Sequence, residues 1–367
     1  TGSGLTGLLL RTLKEYLGDD EKVILQSFST VPAPISSDIV IEPYNAALGL
    51  QDLHEYCHQS YLFDNQALSN LCQRRLDLEA PLMRKLNNIV AFCMSGITTP
   101  LRFPGPANCD LGKMHTNLVP FQGLHFLITG VAPLQTDTKK KYQGPSVKDM
   151  AQSMMMRDNC TLSVDPINPG NLQLEPPIHP SRFLAAWAAW RGRFATHAVD
   201  EILHFVQKPE SRFNKFFPDW IPNTISHNIS STPHPELGDS VTFTSNSTSV
   251  HHVFDRIGQH WDKMRKSKSH LHIYQAEGIS EEDMRESRNL LKYISEQYVS
   301  YSQKPDTHVL KTPGAPMPGP GNWPRAAIDE LAIENDEHER LAGDLIELGD
   351  GDMWIAAVDP PRVNPPP

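Results

Sequence analysis

"TGSGLTGLLL", Thr1 to Leu10, is a short glycine-rich loop that passes directly into an apolar helix. Backbone N–H groups and small hydroxyl residues at a helix N-terminus suit a phosphate, because unpaired donors and the helix dipole both favour negative charge there. The loop lacks the lysine of a P-loop and the spacing of the dinucleotide fingerprint, so a plain glycine turn also explains it. Leu5, Leu8, Leu9, Leu13 and Leu17 then fall at helical spacing until "GDD" ends the run. "VILQSFSTV", Val23 to Val31, follows as a mostly buried strand of the parallel-sheet kind. Loop, helix and strand in that order make half of an α/β unit.

Farther along, "PAP" breaks the strand and "SDIVIEPYNAALGLQDLHEYC" reads as loop, then helix. "DNQALSNLCQRRL" and "LMRKLNNIVAFCMSGITTPLRF" are two more helical stretches, while "LHFLITGVAPL" (Leu124–Leu134) and "FLAAWAAWRG" (Phe183–Gly192) read as strands. The alanines weaken the second reading. "DPINPGNLQLEPPIHPS", with five prolines, must be an extended surface loop, since proline cannot supply ladder donors. Val250, Val253, Phe254, Ile257, Trp261 and Met264 share a helical face. Ser280 with Asp283 makes a capping pattern before a last helix carrying Leu290, Leu291, Ile294 and Tyr298.

The 367 residues carry a net charge of −10, of which −8 falls between Pro305 and Pro367, where twelve acids face four bases. The near-neutral body argues against nucleic acid as a partner, and "KKKY" (139–142) and "RKSK" (265–268) read as solvated surface. Five cysteines without paired metal spacing read as free thiols of a reducing compartment. No run is long and apolar enough for a membrane span, so neither a membrane nor a secretory signal is expected. Glycosylation triplets at Asn159, Asn228 and Asn246 read as chance. Beyond Gln303 a proline-rich linker leads to an acidic, aliphatic segment that is either a stable helix or one that orders on a partner.

Three sets of residues carry possible chemistry. The first is Thr1, Gly2 and Ser3 at the glycine loop. The second is Asp38, Glu42, Asp64, Asn65 and Asn87, polar positions in apolar surroundings; an amide offers a donor and an acceptor together, as reading a purine edge requires. Each of these is alone also a plausible helix cap. The third is "NCDLGK", Asn108 to Lys113, where Asp110 is a carboxylate able to orient a water and Lys113 a cation able to answer a phosphate; a capped helix start is the plainer reading. His125, His270, His272 and the pair His251 and His252 lack the accompanying ligands of a zinc site and read as structural, so no metal site is expected.

Taken in order, these stretches resemble the tubulin family from Thr1 to about Gln303. "TGSG", "VPAPISSDIVIEPYNAAL", "DNQAL", "LNNIV", "MSGITTPLRFPG", "NLVPF", "LHFLITGVAPL", "WRGR", "DWIPN", "SNSTSV" and "EGISEEDM" all occur in the family's order. Lys113, where α-tubulin has a hydrolysis-promoting glutamate, makes the pattern more like the β subunit. The resemblance implies an α/β fold: the C-terminal half of a Rossmann-like GTPase domain (1–100), an α+β intermediate domain (101–235), a closing strand with two long C-terminal helices (236–303), and a disordered acidic tail (304–367).

It further implies GTP or GDP as ligand, with Thr1, Gly2 and Ser3 at the phosphates, Asp38 and Glu42 on the ribose side, and Asn65, Met83 and Asn87 at the base. Met83 stands where the family has a stacking tyrosine. Asn108, Asp110 and Lys113 would face the nucleotide of the next subunit, and Gln135–Ser146 would be a lateral-contact loop. The implied protein is a cytoplasmic, cytoskeletal β-like subunit of microtubules, assembling head-to-tail with an α-tubulin-like partner, with hydrolysis shared between subunits and lost in this chain. The acidic tail would receive microtubule-associated partners. In the family the Mg²⁺-side acid and the first phosphate loops precede "TGSG", so weak GTP binding, poor independent folding and an exposed sheet edge are expected of this stretch. The competing expectations are a non-polymerising tubulin-like interaction protein working through its tail and, on the glycine loop alone, a nicotinamide-dependent enzyme.

Overall fold

The first helix, α1 (Ser3–Leu17), leads into strand β1 (Gln26–Val31), and the chain crosses back through α2 (Glu42–Tyr56) to β2 (Gln59–Asp64), parallel to β1. This is the crossover unit expected from the opening loop, helix and strand. The computed structural model describes residues 2–17, 23–35, 39–106, 109–135, 146–170, 179–208, 210–221 and 223–304. The lateral-contact loop between Gln135 and Ser146, the "KKKY" cluster and everything from residue 305 lie outside the described residues, as do Thr1, Asp38 and Asn108.

From β2 the chain runs through α3 (Asn65–Leu76), α4 (Met83–Ile97), the short α5 (Thr99–Arg102) and α6 (Leu111–Leu118) to β3 (Phe126–Ala132). After α7 (Val147–Met154) come β4 (Phe183–Arg191), α8 (Thr196–Gln207), β5 (Ile225–Ser230), β6 (Ser240–Ser247), α9 (His251–Lys266), α10 (Leu271–Ala276) and α11 (Glu281–Gln303). The six strands form one mixed sheet in the order β1-β2-β3-β6-β4-β5, with β6 antiparallel to both its neighbours. β1 and β5 are the two edges of this sheet among the described residues.

Helices cover both faces. On one, Leu62, Phe126 and Ile128 pack under α2, α9 and α11 through Tyr44, Leu50, Phe254, Ile257, Leu291 and Tyr298. Farther along the same face Ala186, Ala188, Trp190 and Phe243 meet α7 and α8. On the opposite face Tyr61, Phe63, Leu127 and Trp187 meet α3, α4 and α6. The alternation of neighbours along each strand is the period-2 geometry of a pleated sheet whose two sides are both buried.

Three expectations need correction. The helix expected to run on through "GITTPLRF" stops at Ile97 and restarts as α5, because Pro100 fits only the first turn of a helix. The strand expected to be mostly buried from Val23 to Val31 begins at Gln26 and buries only Val31 fully, since as an edge strand it has a neighbour on one side alone. α1 buries only Gly7 fully, leaving Leu5, Leu8 and Leu9 at 59–65% exposed, so its leucine stripe is an open apolar face. The capping box at Ser280 and Asp283 is present. All five cysteines are free and buried. Asn159, Asn228 and Asn246 are buried too, which leaves no room for glycans in the folded state.

Candidate nucleotide-facing end and its opposite end

α2 follows β1 and α3 follows β2 directly, so both helices begin at the carboxyl ends of these parallel strands. α1 precedes β1 and runs alongside α2, which puts its N-terminus toward the same end. Gly2, with φ +85°, opens α1 in a conformation that suits glycine. Ser3 lies against Gly49, two turns into α2, where a β-carbon would stand 2.9 Å from that of Ser3. Glu42 and Asn65 thus open their helices at one end of the sheet, and Gly2 and Ser3 open α1 about two helical turns along α2 from Glu42; helix N-termini of this kind favour negative charge.

The Asp64 carboxylate, fully buried, caps α3: its Oδ1 accepts the Gln66 N–H at 2.8 Å. Arg256 of α9 approaches its Oδ2 to 3.9 Å and donates to the Pro32 carbonyl at 2.9 Å, tying α9, α3 and the segment after β1 together. Burial lowers the Arg256 guanidinium below its ordinary range, with Asp64 opposing that shift. The polar positions expected here therefore divide: Asp64 is structural, while Asn65 beside it is exposed. Sequence reading passed over Arg256, whose partner lies far away in the chain.

Met83 and Asn87 lie one turn apart on α4 and are both exposed, while Leu86 and Ile89 of the same helix pack toward α3. A cleft of about 220 Å³ opens beside the first turns of α3, lined by Pro34, Ile35, Gln66, Asn70, Arg74 and Arg157 among others. Among the described residues, none of those expected to bind a ligand lines that cleft. Arg74 is paired there with Asp158 at 2.6 Å.

The third set lies elsewhere. Asp110 caps α6, its Oδ1 accepting the Lys113 N–H at 2.7 Å, and both residues are exposed. The next residue of α6, Met114, is buried against Gln26 and Tyr61, at 3.6 and 3.5 Å from their polar atoms. Gln26 is the first residue of β1 and Tyr61 lies near the start of β2. α6 therefore sits by the amino ends of the two strands whose carboxyl ends lead to Glu42 and Asn65. Six-residue strands separate the two ends by roughly 17–20 Å.

The family described as "Tubulin/FtsZ family, GTPase domain" matches residues 1–73, and "Tubulin C-terminal domain" matches residues 123–259. The "Tubulin beta chain" of Candida albicans is 37% identical over 303 residues, 83% of this chain and 64% of the relative. The "Tubulin beta chain" of Saccharomyces cerevisiae is 35% identical over 303 residues, covering 83% of this chain and 62% of its own length. That of Bombyx mori is 36% identical over 301 residues, covering 82% and 63%. The chain thus spans somewhat less than two thirds of the relatives it matches. Two matching domains in the family's order, on a single mixed α/β sheet, lead to one conclusion: the chain belongs to the tubulin family, with β chains among its relatives.

Proposed function

We propose that this chain is part of a β-like tubulin: a cytoplasmic, cytoskeletal subunit that binds GTP or GDP at the carboxyl end of its parallel strands and adds head-to-tail to an α-type partner. The observation that carries the reading is the separation of the two residue sets to opposite ends of β1 and β2. A subunit that holds nucleotide at one end and presents "NCDLGK" at the other places its α6 loop against the nucleotide of the next subunit. This arrangement favours a filament subunit over a non-polymerising interaction protein, which needs only one such surface.

Each residue then has a role its chemistry suits. Gly2 and Ser3 bring backbone donors and a hydroxyl toward phosphate. Glu42 accepts from ribose hydroxyls, and Asn65 and Asn87 offer paired donors and acceptors to the guanine edge. Met83 packs its thioether on the base where an aromatic ring would stack. At the other end Lys113 neutralises phosphate charge but is a poor general base at neutral pH, and Asp110 spends one oxygen on the helix cap. That end contributes binding without a hydrolytic base.

Separate substitutions test the two ends in the complete gene product. Asn65→Ala and Asn87→Ala each lower affinity for a fluorescent GTP analogue by about tenfold or more, the scale of a lost ligand hydrogen bond. Lys113→Ala leaves that affinity unchanged and reduces co-pelleting with an α-type partner. Equal effects of all three substitutions on nucleotide affinity would overturn the two-ended arrangement.

A further inference from the structure

The first turn of α9 reads "HHVFD", and its helix brings together three groups that the sequence alone leaves apart. His251 and Asp255 are four residues apart and His252 and Asp255 three apart, so all three lie on adjoining positions of one helical face. One ligand atom from each lies within 4.8 Å of the other two. Metal–ligand bonds of about 2.0–2.1 Å in a tetrahedral site put donor atoms about 3.4 Å apart. Rotation of the His252 side chain, which is at the surface, supplies the remaining approach.

The groups around the cluster orient it as a ligand set. His251 Nδ1 lies 2.7 Å from the Thr248 carbonyl oxygen. A carbonyl only accepts, so Nδ1 carries the proton and Nε2 is left with its lone pair. Asp255 Oδ1 accepts from Ser295 Oγ at 2.5 Å, across the contact with α11, leaving Oδ2 for a ligand bond. A histidine fixed through its other nitrogen and a carboxylate held by a hydroxyl are the outer-shell arrangement that metal sites use. The adjacent cation, Arg256, is directed away toward Pro32 and Asp64.

We propose that His251, His252 and Asp255 bind a first-row divalent transition metal, with zinc as the physiological candidate. Two imidazoles and one carboxylate suit Zn²⁺, Co²⁺ or Ni²⁺, whereas Mg²⁺ and Ca²⁺ prefer all-oxygen shells. Three protein ligands leave a fourth position for water, so the site is open and exchangeable. Through Asp255 and Ser295 the bound ion would clamp the start of α9 to α11.

Isothermal titration of the full chain with Zn²⁺, and with Co²⁺ followed by its visible d–d absorption, tests the site. The expected result is one ion per chain, with an accompanying rise in melting temperature that equimolar Mg²⁺ does not give. His252→Ala and Asp255→Asn, both at exposed positions, weaken that binding at least tenfold while the metal-free melting temperature stays close to wild type. Ser295→Ala, which removes only the outer-shell hydroxyl, weakens it by roughly ten- to a hundredfold. If the two ligand variants bind Zn²⁺ with wild-type affinity and stoichiometry, or if wild type binds none, the proposal is wrong.

Discussion

At the scale of single residues, burial decides what the polar groups do. His125, the residue before β3, is 4% exposed and stacks on His54 with ring centroids 5.5 Å apart. Burial, with His54 as the second cause, pushes its imidazole down to about 4. The unfolded chain takes up this proton near pH 6.5, so between those values the unfolded state binds more protons and stability decreases as the pH is lowered. The contribution is complete above about pH 6.5 and is lost as the pH drops to about 4, amounting to about 3 kcal/mol. His125→Gln, which can still donate to the Leu53 carbonyl, removes this share of the slope. Urea denaturation at pH 7.5 and pH 5 should show wild type losing more stability between the two than the variant does. Asp64 and Asp110 carry the parallel lesson: Asp64 stood out in the sequence as a polar residue in apolar surroundings and Asp110 as a carboxylate able to orient a water, and both are the helix caps of the plainer reading. Spacing shows that a carboxylate stands at a helix start, but only the fold shows which of its oxygens is already engaged.

At the scale of elements, close approach is set by residues with little or no side chain. Gly96, near the end of α4, faces Thr242 of β6, and a β-carbon there would stand 1.8 Å from the threonine Oγ1. Gly96→Ala therefore forces α4 away from the sheet and costs about 1–3 kcal/mol despite alanine's better helix propensity. Thr242→Ala should recover part of that loss in a double-mutant cycle read by chemical denaturation. Helices with apolar stripes, such as α9 and α11, were legible from periodicity because their burial is one-sided. β2, β5 and the hydroxyl-rich β6 were not. All eight residues of β6 are buried although six are serine, threonine or asparagine and only Val241 and Phe243 are apolar, so hydropathy gives no sign of its place in the sheet. The resemblance, and not the pattern, supplied the closing strand. The alanine-rich β4 was legible, and its small side chains leave room for Trp187 and Trp190 on opposite faces. The site was legible to the same extent: its helix starts could be read from glycine and cap chemistry, whereas the Asp64–Arg256 link and the Asp255–Ser295 contact join distant segments and required the fold.

At the scale of the whole molecule, one strand holds the sheet together. β1, β2 and β3 pair in succession on one side and β4 with β5 on the other, but β3 and β4 do not pair with each other. β6 lies between them, Thr244 opposite Thr129 of β3 on one side and Trp187 of β4 on the other. The strand that arrives last in the chain thus completes the hydrogen bonding of two earlier groups, and the helices that follow it, α9 and α11, cover the core of the first group. Neither group keeps its central edge satisfied without β6, and unpaired buried backbone groups are costly. The described region should therefore unfold as one cooperative unit, with near-UV and far-UV circular dichroism giving coincident thermal transitions. Thr244→Pro, which removes a backbone donor from the middle of the central strand, should abolish both signals together instead of melting β4 and β5 alone. Two separated transitions in wild type, or a variant that retains half of its near-UV signal, would show that the two strand groups fold independently and that β6 only docks between them.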